Sequence, residues 1–515
     1  MSLTKMPPEI FCETLSLLPP KSILKCSTVS RTWHETIVGS PALQYAIRLW
    51  KDGLVPGDPV SSSSTDMMRA LERRRQAWAN PAWTSQTVVK IPPLSTCKAF
   101  DISGGVFAMQ MRGPDFCTVS LRDLGGADTA ESLIQPLGLG IDGGVMQDFT
   151  LDPSQDLVAL FHQAFPASGT LIFQTLAEYS LRRREVHPLA RATISTFLID
   201  RDDTDTGVLL SIQIAGDVVG VAIIEGGCST LRLWNWREGD WLARLPECDS
   251  PYPDFQFLSP RALVQAVPCE NGWIEIYMIE TGHIRGSSSV VQVATLRLPA
   301  LDVDSDIDSI GIHAGHTWVH PMPQLPAWFQ PTPRYPHSPA HTCRIYLFHL
   351  NYETSDELIQ THLFVPHRTL HGYVSRYQQE GLTAPLDIPW EEWGPQNTRM
   401  LPGDGYTWTG HVHGERALLP IDDAGKKCMH LLDFSPAIPR DPDIVDSRAP
   451  DTRMSFVSAP TTIKEPFENP VTTSLPYRST MRSMDENFDV LLLDQDHIIG
   501  TNSVCVFLFD FSLKC

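Results

Sequence analysis

Apolar residues near the start of the chain recur at the three- and four-residue spacing of an amphipathic helix. Four residues follow this spacing: Ile10, Phe11, Leu15 and Leu18. The segment opens with Pro7-Pro8-Glu9, which suits a first helical turn, because proline is tolerated there and glutamate faces the positive end of the helix dipole. Since Pro19-Pro20 ends the pattern, a first helix is predicted between these proline pairs.

Two more helices are predicted before residue 54. The second starts near Lys21, and the third starts near Ser30, where Trp33 and Ile37 share a face. Gly39-Ser40-Pro41 is predicted to stop the third helix. The composition of residues 55–65 is that of a linker.

A further helix is predicted from Thr65-Asp66 to Asn80. Three apolar residues would share its buried face: Met67, Leu71 and Trp78. Arg73-Arg74-Arg75 is predicted to be a solvated face of this helix rather than a binding patch.

After Pro81 the chain changes to short alternating or wholly apolar runs, which are typical of strands. One alternating six-residue pattern recurs seven times, at 119–124, 171–176, 231–236, 274–279, 345–350, 429–434 and 506–511. One such pattern per blade predicts a seven-bladed β-propeller. Six blades, eight blades and two unrelated β domains are the alternatives. The predicted fold class is therefore α plus all-β multidomain, with three helices followed by the propeller.

These copies resemble the third strand and following turn of WD-repeat blades, whose pattern is Val-x-Leu-Trp-Asp-x-x-Thr-Gly. Trp234-Asn235 stands at the Trp-Asp position, Thr281-Gly282 keeps the turn, and Phe509-Asp510 keeps an aromatic–Asp pair. No copy has Trp-Asp intact. The resemblance implies blades that carry insertions of different lengths.

Charge and cysteine usage restrict the possible partners and compartments. The net charge is −20, and because the first 54 residues hold six basic and four acidic residues, the remainder carries −22. A region with this much negative charge repels phosphate groups. Neither nucleic acid nor membrane is therefore expected as a partner. Eleven cysteines without a C-x-x-C pair, and no leader-like N-terminus, predict a soluble protein of the cytoplasm and/or nucleus.

The stretch Thr28–Glu35 contains residue types used in acyl transfer, but their spacing does not form a triad. Ser30 and His34 are four apart and could touch on a helix, whereas His34 and Glu35 are adjacent and point about 100° apart. No catalytic residue is predicted here.

Two tryptophans flank Glu391 and Glu392, and we expect this segment to be an aromatic loop packing between blades, or a recognition surface, rather than an acid–base pair.

Two further motifs resemble ligand sites, yet their surroundings favour other roles. Residues 138–143 match G-x-G-x-x-G but lack a strand before and a helix after, so a surface loop is expected and no cofactor is predicted. Several histidines are close in sequence: His313, His316, His320, His337, His341, and further on His411 and His413. Strand-like neighbours and the lack of nearby cysteines favour loop or core positions, so no metal is predicted.

Residues 6–50 resemble an F-box. The family's Leu-Pro-x-Glu opening is Met6-Pro7-Pro8-Glu9 here, and it is followed by Leu17-Leu18-Pro19, by Ile23-Leu24-Lys25-Cys26 and by Val29-Ser30-Arg31-Thr32-Trp33, before Pro41-Ala42-Leu43 closes the motif. The architecture also resembles fungal families that join an F-box to a propeller-like region. The implied domains are an F-box at 1–54, a linker and helix at 55–82, and a propeller-like domain at 83–515.

The resemblance implies a non-enzymatic substrate receptor of a Skp–cullin–F-box E3 ubiquitin ligase. The partners would be a Skp-type adaptor, through it a cullin, and an unknown protein substrate. The positions that match the family's adaptor-binding motif are Pro7, Pro8, Ile10, Leu17, Leu18, Pro19, Ile23, Leu24, Val29 and Trp33. Trp33 is the best candidate for an anchor, since buried tryptophans dominate such interfaces. Alternatives are an F-box scaffold outside ubiquitin ligation and a propeller enzyme with an adventitious helical N-terminus.

Overall fold

A computed structural model describes the greater part of the chain. The described residues are 7–56, 63–79, 85–90, 99–110, 116–120, 135–136, 144–164, 171–180, 185–191, 195–200, 208–225, 228–245, 254–280, 289–315, 337–340, 342–355, 357–403, 411–423, 426–435, 452–484, 488, 490–495, 497–501 and 505–510.

The N-terminal region contains the three predicted helices and a fourth that the sequence pattern did not predict. They are α1 Pro8–Ser16, α2 Pro20–Cys26, α3 Arg31–Gly39 and α4 Pro41–Lys51. Ser40 is extended, and its side chain accepts a hydrogen bond from the Leu43 backbone N–H at 3.5 Å. Gly39-Ser40-Pro41 therefore ends one helix and also starts the next, because Ser40 caps α4 and Pro41 occupies its first position.

Helix α5, Ser64–Ala79, matches the predicted helix and its apolar face. Leu71 and Trp78 are buried, and Met67 is partly buried against Leu71 and its neighbours. The cap is Ser63 rather than the predicted Thr65-Asp66, since Ser63 Oγ accepts a hydrogen bond from the Asp66 backbone N–H at 3.2 Å.

The prediction that the arginine run is a solvated face is wrong for two of its three members. Arg74 is buried and donates to the Gln495 carbonyl at 3.0 Å, while Arg75 Nε donates to Asp52 Oδ1 at 2.7 Å. Only Arg73 is exposed. The reason is helical spacing: Arg74 lies four residues before Trp78, so it shares the face that α5 buries against the strands.

In the part of the chain that the structure describes, seven sheets of four or five strands follow one another. Sheet 1 contains β3 Ala99–Ser103, β4 Val106–Gln110, β5 Phe116–Ser120 and β6 Gln135–Pro136. Sheet 2 contains β7 Gly144–Asp152, β8 Leu157–Ala164, β9 Leu171–Ser180 and β10 Ser195–Asp200. Sheet 3 contains β11 Val208–Ala215, β12 Val218–Glu225, β13 Cys228–Asn235 and β14 Asp240–Arg244.

The next three sheets carry additions to this plan. Sheet 4 contains β15 Phe255–Ser259, β16 Ala262–Val267, β17 Trp273–Glu280 and β18 Ser289–Arg297, joined in parallel by β23 Leu386–Ile388. Sheet 5 contains β19 Ser305–His313, β21 Ile345–Thr354, β22 Leu358–Pro366 and β24 Arg399–Pro402. Sheet 6 contains, in spatial order, β25 Val412–His413, β26 Arg416–Asp423, β27 Lys426–Asp433, β31 Tyr477–Ser483 and β28 Thr452–Val457.

Sheet 7 is built from both ends of the β region. Its strands β32 Val490–Leu493, β33 His497–Thr501 and β34 Cys505–Asp510 are joined by β2 Ser85–Lys90, which follows α5 in sequence. Strand β2 pairs antiparallel with β34, from Ser85 opposite Asp510 to Lys90 opposite Cys505. Because apolar clusters also join each sheet to the next from sheet 1 to sheet 7, the sheets form a seven-bladed β-propeller.

The seven sequence repeats fall in seven different sheets. Six of them lie on, or begin on, the third strand of their sheet, as predicted from the blade pattern. The copy at 345–350 is the exception, because it lies on β21, the second strand of sheet 5. Gly239 has φ of +68° in the turn between β13 and β14, as the tight turn after that copy requires. Gly282, the equivalent turn residue of another copy, lies outside the described residues.

A helical insertion separates β22 from β24 and fills the space between sheets 4 and 5. It consists of α6 His367–Glu380, strand β23 and α7 Trp390–Asn397. Trp393 is fully buried, and its indole N–H donates to the Arg297 carbonyl at 2.8 Å. The segment around Glu391 and Glu392 is therefore a helix rather than the predicted loop, although its tryptophans do pack between blades. In the described part of the chain, no helix is long and apolar enough to cross a membrane.

The N-terminal helices are held against the propeller by strand pairing and by packing. Strand β1, Leu54–Pro56, pairs antiparallel with β20, His337–Pro339, and the Gly53 carbonyl accepts a hydrogen bond from the Ala340 N–H at 2.7 Å. Trp78 of α5 packs with apolar residues of sheets 6 and 7. A short pair of strands, β29 Thr461–Ile463 and β30 Val471–Thr473, completes the described strands. Residues 57–62 of the predicted linker lie outside the description.

Candidate functional site: an exposed apolar surface on the N-terminal helices

Six apolar side chains form the interior of the N-terminal helices. They are Phe11, Leu15, Ile23, Ile37, Leu43 and Ile47, and they come from all four helices. Helices α1 and α4 each contribute two residues four positions apart, which places each pair on one face, and α2 and α3 contribute one residue each. With six buried residues this core is small, so the unit has little apolar material with which to cover its remaining surface.

The structure divides the ten positions that match the adaptor-binding motif. Seven are exposed, and we call these seven the helical apolar surface: Pro7, Pro8, Ile10, Leu17, Leu18, Pro19 and Val29. Leu24 and Trp33 are half-buried, and Ile23 is buried with 1% of its surface exposed. Ile23 therefore belongs to the core, and the sequence had left this division open.

The exposure on this surface is high for large apolar side chains. Leu17 is 83% exposed, Val29 65% and Ile10 48%. On a helix, residues 10, 14 and 17 lie on one face, so Ile10 and Leu17 project from the same side of α1. Exposed aliphatic side chains gathered on one small helical unit are typical of a protein-binding surface.

Trp33 holds α1 to α3 and keeps part of its own surface open. Its ring meets the ring of Phe11 edge to face, with centroids 4.7 Å apart. Its backbone N–H donates to Ser30 Oγ at 3.3 Å, which caps the start of α3. Because it is half-buried, Trp33 combines an internal packing role with an accessible edge, and its role as an anchor stays a prediction.

Two large exposed apolar side chains lie on these helices outside the predicted set. Val38 on α3 is 55% exposed, and Trp50 on α4 is 44% exposed. The helical pattern around Trp50 could have drawn attention to it. Its exposure could not be read from the pattern, because α4 itself was not predicted.

The polar residues of Thr28–Glu35 lie on the surface at the start of α3. Ser30, His34 and Glu35 are all exposed, and the Ser30 hydroxyl is engaged in capping α3.

The other ligand-like motifs separate in the structure. Residues 138–143, His316, His320 and His341 lie outside the described residues, and His337 is described only as part of β20. His313 is packed between sheets near His349, His362 and His411, while His413 lies 3.8 Å from Asp494. Among the residues described, no group of three or more candidate ligands is placed to hold a metal ion. Glu391 and Glu392 are exposed at the start of α7.

A comparison with protein-family models identifies a known domain in the N-terminal helices. Residues 3–42 match the F-box domain model. No curated protein matches the chain.

Solved structures resemble the chain over most of its length at low identity. BamB from Moraxella catarrhalis is 9% identical, over 83% of this chain and 99% of that one, with a TM-score of 0.31. The Dos1 propeller is 9% identical, over 85% and 97%, with a TM-score of 0.33. Extracellular domains 1–2 of Drosophila Semaphorin 1b are 9% identical, over 83% and 88%, with a TM-score of 0.35. The strand pairing within the seven sheets, not these likenesses, identifies the propeller.

Proposed function

We propose that this protein is a substrate receptor of a Skp–cullin–F-box E3 ubiquitin ligase. The observation that carries the proposal is the helical apolar surface, since it lies within the segment that matches an F-box domain and is open to a partner. F-box domains bind Skp-type adaptors. The adaptor would cover the exposed aliphatic residues of this surface and would in turn recruit a cullin.

The propeller is proposed to hold the protein substrate. Propellers present loops at the ends of their blades on a rigid scaffold, which suits recognition of another protein. The receptor itself would carry out no chemistry. It would act by proximity, because holding a substrate lysine near the ubiquitin-charged enzyme raises its effective concentration to about the millimolar range for short tethers. We propose that it acts in the cytoplasm and/or nucleus.

The connection between the two parts supports this role. Pairing of β1 with β20 and the Arg74–Gln495 hydrogen bond restrain the helices against the β region, and the Asp52–Arg75 ion pair joins the end of α4 to α5. A docked adaptor would therefore set the orientation of the propeller as well as its position.

The test is co-purification of the full chain with a Skp-type adaptor and a cullin. Leu17→Ala/Leu18→Ala removes two exposed side chains, and we expect it to weaken adaptor binding by tenfold or more, since a central contact contributes about 2 kcal/mol. Trp33→Ala is compared separately, because it also removes the packing on Phe11.

The matched control is Val303→Ala, which shortens a side chain that is 96% exposed on the propeller and should leave adaptor binding unchanged. Full adaptor binding by a folded Leu17→Ala/Leu18→Ala variant would contradict the proposal. Recovery of the adaptor without cullin would instead indicate a scaffold outside ubiquitin ligation.

A further inference from the structure

Sheet 5 places three imidazoles side by side on neighbouring strands. His349 on β21 is directly opposite His362 on β22, and their ring centroids are 4.6 Å apart. His313 on β19 packs edge to face on His349, with centroids 4.7 Å apart. The three rings therefore form a row across the sheet.

Sheet 6 places two further histidines at the interface with sheet 5. His411 immediately precedes β25, is 2% exposed and interacts electrostatically with the three histidines of sheet 5. His430 on β27 is opposite Leu419, which packs with residues of sheet 5, so His430 lies on the face turned towards sheet 5. We call the five the histidine cluster: His313, His349, His362, His411 and His430.

The surroundings of the cluster favour the neutral form of its imidazole side chains. Burial is the main cause that lowers the pKa of each member, and for His313, His349 and His362 the neighbouring imidazoles lower it further. The pKa falls to about 3 for His313 and to about 4 for His362, His411 and His430. Within the described residues, neither ring nitrogen of His362 has a hydrogen-bond partner.

Few groups around the cluster could neutralise added positive charge. Arg399 is buried over the Tyr477 ring in the same interface, and Arg453 lies on the outer strand of the same face of sheet 6. Asp494 of sheet 7 is near His413 and His497, at 3.8 and 4.0 Å, and Glu353 lies on the same face of β21 as His349 but is exposed. Protonation would therefore place like charges together between two sheets that pack through apolar side chains.

We propose that the interface between sheets 5 and 6 is an acid-sensitive opening point of the propeller. Protonation of the histidine cluster separates these two sheets and opens the ring there, before the other sheets lose their structure. The inference is independent of the proposed function, since it concerns only the packing of the propeller.

The sign of the pH effect follows from the direction of the shifts. A histidine whose folded pKa is depressed contributes stability that is present above its unfolded pKa of about 6.5 and is lost as pH falls towards its folded pKa. Three buried carboxyl groups act in the opposite direction. Burial raises the pKa of Asp148 in sheet 2 to about 7, that of Asp254 beside sheet 4 to about 6 and that of Glu415 to about 7. Only Glu415, in the turn between β25 and β26, belongs to sheets 5 and 6. Their contribution to stability increases as pH falls from about 7 to about 4, where the cluster weakens sheets 5 and 6.

Hydrogen exchange of the full chain between pH 7 and pH 4, corrected for the intrinsic pH dependence of exchange, tests the proposal. We expect peptides from β21, β22, β26 and β27 to lose protection at a higher pH than peptides from β12, β13, β16 and β17. Simultaneous loss in both sets, or earlier loss in the second set, would overturn it, because the chain would then unfold as a unit or open elsewhere.

A variant links the opening to the cluster. His349→Leu/His362→Leu removes two titrating groups and keeps apolar packing beside Leu347 and Phe364. We expect its opening pH in sheets 5 and 6 to fall by about half a unit or more. The control is His162→Leu, which removes a buried histidine of sheet 2 and should leave the opening of sheets 5 and 6 unchanged. An unchanged opening pH in a folded double variant would overturn the proposal. If that variant does not fold, the hydrogen-exchange comparison between the two sets of strands in the native chain still tests the proposal.

Discussion

Two glycines in the helical insertion show how strongly the effect of one methyl group depends on its surroundings. A Cβ on Gly394 in α7 would collide with the ring of Trp390, which is buried against it. A Cβ on Gly372 in α6 would have no atom within 4 Å. Both residues are helical, so their intrinsic helix propensities are equal and the difference between them is steric.

We therefore expect opposite effects of the same substitution at the two sites. Gly394→Ala should lower the free energy of unfolding by about 1–3 kcal/mol, because the Trp390 ring must move within a packed interior. Gly372→Ala should raise it by about 0.5–1 kcal/mol through helix propensity. Denaturant midpoints measure both, and equal midpoints for the two variants would contradict the close packing of Trp390 on Gly394.

At the scale of elements, α5 connects the N-terminal helices to the last two blades. Its Trp78 ring is 1% exposed, packs with residues of sheets 6 and 7, and lies 4.6 Å from the guanidinium of Arg416. Arg74, one turn earlier, donates to a carbonyl of sheet 7. The helix is therefore part of the propeller's packing and also the support of the helical apolar surface.

Trp78→Ala should detach α5 from the propeller. We expect a loss of about 3–5 kcal/mol in the free energy of unfolding, as for other buried tryptophans, together with faster proteolysis of the segment before α5. Arg73→Ala on the exposed face of the same helix is the control, and its effect should stay within about 0.5 kcal/mol. Equal proteolysis of the two variants would show that Trp78 does not hold the helix in place.

At the scale of the whole molecule, the ring is closed by β2, which lies some 400 residues before its partner β34 in sequence. Such a closure buries the hydrogen-bonding edge that β34 would otherwise expose, and it joins the two ends of the β region in one sheet. The strand comes directly after α5, so closure of the ring and attachment of the helices depend on neighbouring segments.

Truncation separates these two contributions. A chain that begins at Ser85 keeps β2, whereas a chain that begins at Ala99 lacks it. We expect amide protection of β34 to be retained in the longer chain and lost in the shorter one, which should also aggregate, because its sheet edge is exposed. Equal protection of β34 in both chains, measured by hydrogen exchange, would rule out β2 as the closing strand.

Periodicity along the chain predicted the element types of the N-terminal helices and of the blade strands, but not α6 and α7, which lie in a region predicted to form strands throughout. Proline pairs and apolar spacing predicted α1 to α3, and the repeated six-residue pattern predicted one marked strand per blade. The pattern did not predict α4, because Ser40-Pro41 can end one helix and cap another with the same residues. The pattern also could not predict that the copy at 345–350 lies on the second strand of sheet 5, since this position depends on pairing with β19 and β22. The WD-repeat resemblance of the blades stays a prediction.

The sequence by itself determined where α1, α2, α3, α5 and the marked blade strands form, because their patterns depend on residues within a few positions of each other. It also carried the motif that matches an F-box domain. Only the tertiary structure decided which side chains are buried. Ile23 and Leu17 are both apolar residues of the motif, yet one is in the core and the other is exposed. The buried Arg74 donates a hydrogen bond to a carbonyl 421 residues away in sequence, and the histidine cluster contains residues from two blades. Burial depends on contacts between distant segments, and local spacing contains no information about them.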